Sequence, residues 1–146
     1  MAGKTLSAGY RKYLSYEPII KEICDGCGAP SLKKDFVFFR KIMWSAGDCF
    51  TFVYGHTHFV LGVVGKDHLR IYGLAVKEAA HRRGYGRKMM NDVLRYARSL
   101  SKHRITLRAN IAEKADIYYA TQFGFVRDQI KDTDYEMHKE LTYANE

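Results

Sequence analysis

The run His81-Arg82-Arg83-Gly84-Tyr85-Gly86-Arg87-Lys88-Met89-Met90 joins a G-x-G turn to four cations, and that combination suits the holding of phosphates. Glycine lets the backbone turn tightly and lets a ligand reach the amides with no Cβ in the way. An apolar run, Leu69 to Val76, precedes the turn and an amphipathic pattern follows it, so the corner is predicted to link a strand to a helix. The first N–H groups of such a helix lack partners, and its dipole presents its positive end there. Arg82, Arg83, Arg87 and Lys88 crowd that same end. Cations at a helix N-terminus oppose the dipole unless an anion is to be bound, so the cluster reads as an anion site before it reads as a solvated helix start.

The elements that must position this corner follow from periodicity. Residues 7 to 24 read as one or two short helices, with Pro18 placed in a first turn. Residues 25 to 30 read as a loop. Residues 32 to 44 carry Leu32, Phe36, Phe39 and Met43 on one helical face, which favours a helix, although Phe36 to Phe39 also suits a buried strand. Strands are expected at 50–54 and 59–64 around a hairpin turn, Gly55 to His58, and again at 69–76. A helix from Tyr85 to about Leu100 turns Met89, Met90, Val93, Leu94, Ala97 and Leu100 inward. A strand at 104–109, a helix from Ala112 to about Gln122, and strands at 125–130 and 135–141 complete the chain. The order predicts a mixed α/β fold, a twisted sheet covered by helices on both faces.

With 146 residues the chain is expected to form one domain, residues 1–146. Lys and Arg total 24 against 16 Asp and Glu, a formal charge of +8, which favours polyanionic partners without choosing among them. The opening MAGKTLSAGY has no apolar core of a signal peptide, and no run approaches the ~18 apolar residues of a spanning helix, so a cytoplasmic protein with no membrane partner is expected. Cys24-Asp25-Gly26-Cys27 is half of a zinc-knuckle spacing, with Cys49, His56 or His58 as conceivable completions. No second half with a recognisable spacing exists, so reduced thiols are expected rather than a metal site.

Three segments, taken together and in order, resemble the GNAT N-acetyltransferase superfamily. Val76 to Gly86 is similar to the family's pyrophosphate signature, Gln/Arg-x-x-Gly-x-Gly/Ala preceded by a valine, with His81 standing at the Gln/Arg position. Ala115-Asp116-Ile117-Tyr118-Tyr119-Ala120-Thr121-Gln122-Phe123-Gly124-Phe125 resembles A-x-x-F-Y-x-x-x-G-F with one extra residue before the glycine, and Tyr135 to Leu141 resembles the closing strand. The resemblance covers about residues 50 to 141. Competing phosphate motifs fit less well: the dinucleotide fingerprint G-x-G-x-x-G meets Met89 at its third position, and G-K-[ST] is absent.

The resemblance implies a mostly antiparallel sheet with a splayed central pair of parallel strands, acetyl-CoA as cosubstrate, and a primary amine on a small molecule, a protein or an RNA-linked group as acceptor. It implies that the backbone of Arg82, Arg83, Gly84, Tyr85, Gly86 and Arg87 cradles the pyrophosphate, with Arg82, Arg83, Arg87 or Lys88 reaching the ribose 3′-phosphate and His81 on the cofactor side. Leu74, Ala75 and Val76 would pair with the pantetheine arm, an N–H near Val76 holding the thioester carbonyl. Asn110 would either contact the cofactor or cap the Ala112 helix. Tyr119 is the implied acid at the leaving thiol when the motif is counted from Ala115. Counted back from Gly124, Ala120 takes that place, and Tyr118 is the neighbour that substitutes. The base is open: Glu78 follows the strand, and His56, His58 and His68 lie on nearby turns. A homodimer is compatible with the family. Two other readings are a CoA-binding protein of this fold without catalysis, and a basic nucleic-acid-binding module. The latter rests on the charge and the cationic 82–104 segment, and no helix-turn-helix, RRM or zinc-finger signature supports it.

Overall fold

The first helix, α1 (Ala8–Gly26), opens with Ser7 as its N-cap, the Ser7 Oγ accepting from the Tyr10 amide at 3.1 Å. A computed structural model describes residues 7–142, and the side chains of residues 33–37 lie outside the described set, Phe36 of the expected apolar stripe among them. α1 is one continuous helix rather than two, with Pro18 inside it and not in a first turn. A mid-helix proline sacrifices a backbone bond and costs about 3 kcal/mol. The stripe on either side outweighs that cost: Tyr13, Ile20, Ile23 and Cys24 are fully buried, at about 1.5–3 kcal/mol for each large side chain. α2 (Pro30–Ser45) starts with proline in its first turn and buries Phe39 and Met43, so helical periodicity prevails over the strand alternative.

A meander follows, β1 (Cys49–Tyr54), β2 (His58–Val64) and β3 (His68–Val76), then a 3₁₀ turn, Glu78–Ala80. α3 (Tyr85–Ser99), β4 (Arg104–Asn110), α4 (Ala115–Phe123), β5 (Val126–Lys131) and β6 (Asp134–Glu140) complete the described residues. The six strands form one sheet in the order β1-β2-β3-β4-β6-β5, antiparallel except for the β3–β4 pair. α3 and α4 pack on one face over Leu69, Ile105, Leu107 and Met137; α1 and α2 pack on the other over Phe59, Leu61 and Ala75.

Two boundaries differ from the expectation in ways that bear on the site. α4 begins at Ala115, not Ala112, because Asn110 Oδ1 accepts from the Glu113 amide at 2.9 Å and Lys114 takes a left-handed φ of 59°, spending three residues on a turn. Leu100, expected inward, is exposed: α3 ends at Ser99 and Leu100 leaves the apolar stripe as its C-cap.

Candidate active site

β3 carries a bulge at Tyr72, where the register with β2 slips from Leu61↔Gly73 to Gly62↔Ile71. A bulge bends and twists the strand that bears it. Here the consequence falls on the far side. β3 and β4 stay paired only through His68↔Arg104, Leu69↔Ile105 and Arg70↔Thr106, and beyond Arg70 they part. The bulge also inverts the alternation: Leu69 and Ile71 face α3, while Gly73 and Ala75 face α1 and α2. A Cβ at Gly73 would meet the Phe39 ring at 2.7 Å, so glycine is what lets α2 lie this close.

A cavity of about 630 Å³ occupies the wedge. It runs from Cys27, Ala29 and Ser31 on the α1–α2 side, between Leu74 and Arg108, to Gly84 and Arg87 at the opening of α3. The Lys77 amide donates to Thr57 O at 2.9 Å, which makes His58↔Val76 a non-hydrogen-bonded pair of the β2–β3 ladder. By the same alternation the N–H and C=O of Val76 and Leu74 turn away from β2, towards the wedge. Ala75 instead turns its backbone to Phe59 and its methyl into the α1/α2 core. Of the three residues expected to meet a pantetheine arm, Leu74 therefore presents its N–H and C=O and Val76 its N–H, the Val76 carbonyl being met by His81.

The corner at the other end is strained open. Gly84, the N-cap of α3, sits at φ 78° with no side chain capping the helix, and Arg82 takes φ 67°. Nothing lies within 4 Å of a Cβ built on Gly84, so its glycine serves the dihedral and leaves the amides bare. Gly86 does a different job: a Cβ there would run into the Tyr118 hydroxyl. Arg82 and Arg87 line the cavity, and Arg87 Nη2 donates to Gln122 Oε1 at 2.9 Å, tying α3 to α4. Arg83 and Lys88 are exposed beside the corner and are not among its described lining. His81 lines the cavity and its Nε2 lies 2.8 Å from Val76 O, pinning the turn to the strand end.

The expected proton-transfer groups separate. Tyr119 is 9% exposed and packs against Phe123 and Phe125, and burial pushes its phenol up from the usual tyrosine range. Tyr118 is 39% exposed, between Gly86 and Phe123, and is also raised by burial. Both border the cavity. Glu78 does not: its carboxylate sits against Gly28 in the α1–α2 loop, because Lys77 continues β3 outward before the chain turns. His56 lies beside Glu22 at 3.3 Å, outside the wedge. His68 pairs with Asp67 at the start of β3, roughly 25 Å along the strand from Val76 at about 3.3 Å per residue. Asn110 borders the cavity and uses its Oδ1 on the Glu113 turn rather than on a helix end.

Several wedge residues escaped the sequence reading. Tyr72 is the bulge residue, and Gly62 facing a Tyr-Gly pair inside a strand was the available signal. Arg70, beneath it, forms a bidentate pair with Glu136 at 2.7 and 2.6 Å and lies 5.3 Å from the Tyr72 ring. That pair holds Glu136 below the usual carboxylate range. Ser31 donates twice to the Glu113 carboxylate, from its amide at 3.0 Å and its hydroxyl at 2.8 Å, bridging α2 to the β4–α4 turn beside the cavity. Cys24, Cys27 and Cys49 are buried thiols, and no cluster of three His, Cys, Asp or Glu fit for a metal occurs among the described residues. No described helix is long and apolar enough to cross a membrane.

Residues 33–125 match the model of the acetyltransferase (GNAT) family, more than half of the chain, and the protein belongs to that family. Solved structures agree on the fold. The ribosomal-protein-S18-alanine N-acetyltransferase of Escherichia coli superposes with a TM-score of 0.67 at 16% identity, over 98% of this chain and 95% of its own. The PaiA N-acetyltransferase of Thermoplasma acidophilum, solved with coenzyme A, gives 0.66 at 9% identity, over 97% and 100%. Ard1 of Thermoplasma volcanium gives 0.54 at 22%, over 60% of this chain and 64% of that one, so less than two thirds of its length is spanned. By sequence the chain matches no curated protein.

Proposed function

We propose that the protein transfers the acetyl group of acetyl-CoA to a primary amine by direct attack. The observation that carries this reading is one continuous cavity with two features along it: bare amides at the opening of α3 and a parted strand whose Leu74 and Val76 backbone faces the gap. A diphosphate fits the first, since Gly84 leaves room and the amides of Tyr85, Gly86 and Arg87 have no side-chain cap. An extended amide-bearing arm fits the second as a substitute strand. Bound there, acetyl-CoA would supply an activated acyl carbon, and the Val76 N–H, turned towards the wedge, would donate to its carbonyl oxygen as charge develops.

The chain's remaining task is to manage protons. A lysine-like amine is only about 0.04% neutral at pH 7, so deprotonation must be assisted. Glu78 lies outside the cavity lining, its carboxylate against Gly28 in the α1–α2 loop, so a base role for it would need intervening water to carry the proton. At the leaving sulfur, a phenol raised above 10 is a weaker acid than a thiol near 8.5. Tyr119 or Tyr118 would therefore act by donating a hydrogen bond rather than by surrendering its proton.

Thiol release from acetyl-CoA across an amine panel tests the reading, with calorimetry for CoA itself. Tyr119→Phe is expected to lower turnover about tenfold with CoA affinity unchanged; a fully active variant moves that role to Tyr118 or to water. The position of Glu78 also keeps a second reading in view, a CoA binder without catalysis. It predicts calorimetric uptake of CoA with no thiol released by any amine.

A further inference from the structure

His58 was one of several turn histidines in the sequence, yet it alone is enclosed. It is 8% exposed, and its Nδ1 is buried with no hydrogen-bond partner. Its ring is the middle of a three-ring column: the Tyr54 ring lies 4.7 Å away at 4° to it, and the Tyr85 ring 4.4 Å away at 10°. Tyr85 is the first residue of α3, directly after Gly84. The far end of the column returns to the same helix, because Tyr54 Oη donates to Asp92 Oδ2 at 2.6 Å. One rigid stack standing on β1 and β2 thus grips α3 at residue 85 and again two turns later.

We propose that His58 is a positioning residue for the diphosphate corner, its ring fixing Tyr85, and through Tyr85 the helix-opening amides, at the place an acyl-CoA diphosphate requires. The proposal rests on the acetyl-CoA reading of the same cavity, to which Tyr85 belongs. Three observations separate this from ordinary packing. A leucine would fill the volume without leaving a polar atom unpaired, and burying such an atom is costly. Flat rings at these spacings restrict the sliding that an aliphatic contact permits. The anchored residue follows a left-handed glycine, where the backbone alone would hold the turn weakly. Amides that bind an anion lose effect steeply when displaced by about an ångström.

The test compares His58→Leu with His58→Phe, which keeps the stack. CoA affinity is measured by calorimetry and S-acetylpantetheine affinity, with no diphosphate in the ligand, by chemical-shift titration. His58→Leu is expected to weaken CoA about tenfold and to leave S-acetylpantetheine within twofold, and His58→Phe to restore CoA to within twofold of wild type. A ligand-free melting temperature identifies any variant that fails to fold. In that event Tyr85→Leu removes the stack from the other side, and it should reproduce the loss for CoA alone. Equal loss for both ligands, or CoA affinity unchanged in His58→Leu while the wild type binds CoA, overturns the proposal and leaves the acetyl-CoA reading standing. A folded wild type that takes up no CoA overturns both.

Discussion

Two of the helices that border the cavity, α2 and α3, have N-termini finished in opposite ways. α2 begins Pro30-Ser31, and its bare end is satisfied by the chain itself: the Glu113 carboxylate, brought round by the Asn110 turn, accepts from the Ser31 amide and hydroxyl. α3 begins after Gly84, has no side-chain cap, and is surrounded by arginines and a lysine that its own dipole disfavours. An acid brought to one and cations to the other tell the two apart. The first is a structural joint, already neutralised. The second is left without a partner of its own, which is why the proposed function assigns the diphosphate to it and not to α2.

The strongest way to break this comparison is to finish α3 as α2 is finished. Gly84→Asp places a carboxylate against the open amides, in competition with a phosphate, and CoA affinity is expected to fall at least about a hundredfold. The fold should persist, since nothing lies within 4 Å of the new Cβ, although the φ of 78° costs some stability. An undiminished thermal shift with CoA would place the diphosphate elsewhere. The reciprocal change opens α2. Glu113→Ala removes its cap and should cost about 1 kcal/mol by urea denaturation, while the thermal shift produced by CoA keeps its size. A loss of CoA binding as large as that of Gly84→Asp would mean that both helix ends serve the cofactor. Arg87→Ala removes one cation while leaving the amides in place. Its effect should be modest, about threefold in CoA affinity, and should shrink as salt is raised.

The legible part of the molecule was the part governed by neighbours in sequence. The G-x-G corner, α3 and the meander are short-range features, and their boundaries were found to within a residue or two. The wedge was reached only by family resemblance, because the pairing of β3 with β4 is settled by a bulge whose two halves, Gly62 and Tyr72-Gly73, lie on different strands. The Ser31–Glu113 joint spans 82 positions, and the Arg70–Glu136 pair 66. No window of sequence contains either. Pro18 misled for the opposite reason: a local rule for proline was overruled by burial of side chains a turn to either side. His58 looked like any turn histidine because its enclosure depends on Tyr54 from one strand and Tyr85 from a distant helix.

The smallest expected effect sharpens the same contrast through pH. His58 is held below the usual histidine range by burial first and then by the Lys88 ammonium, so the cationic end of α3 also discourages a second charge nearby. Lys88 and Tyr85 face it from α3 and Tyr54 from β1, and Asp92 reaches it only through the Tyr54 hydroxyl. With the folded value depressed and the unfolded value about 6.5, the unfolded chain binds the extra proton between the two. Stability is therefore complete above about pH 6.5 and declines as pH falls towards the folded value. The carboxylates held down by arginines, Glu136 by Arg70 and Glu17 by Arg40, act in a separate window: their contribution is present above about pH 4.5 and is lost on further acidification. Urea denaturation at pH 7.5, 6.5 and 5.5 should show His58→Phe losing less stability than wild type across that interval, with no difference at its alkaline end beyond a constant offset. Parallel curves for the two proteins would mean that the imidazole takes its proton inside the stack as readily as in water, and that Lys88 stands too far off to oppose it.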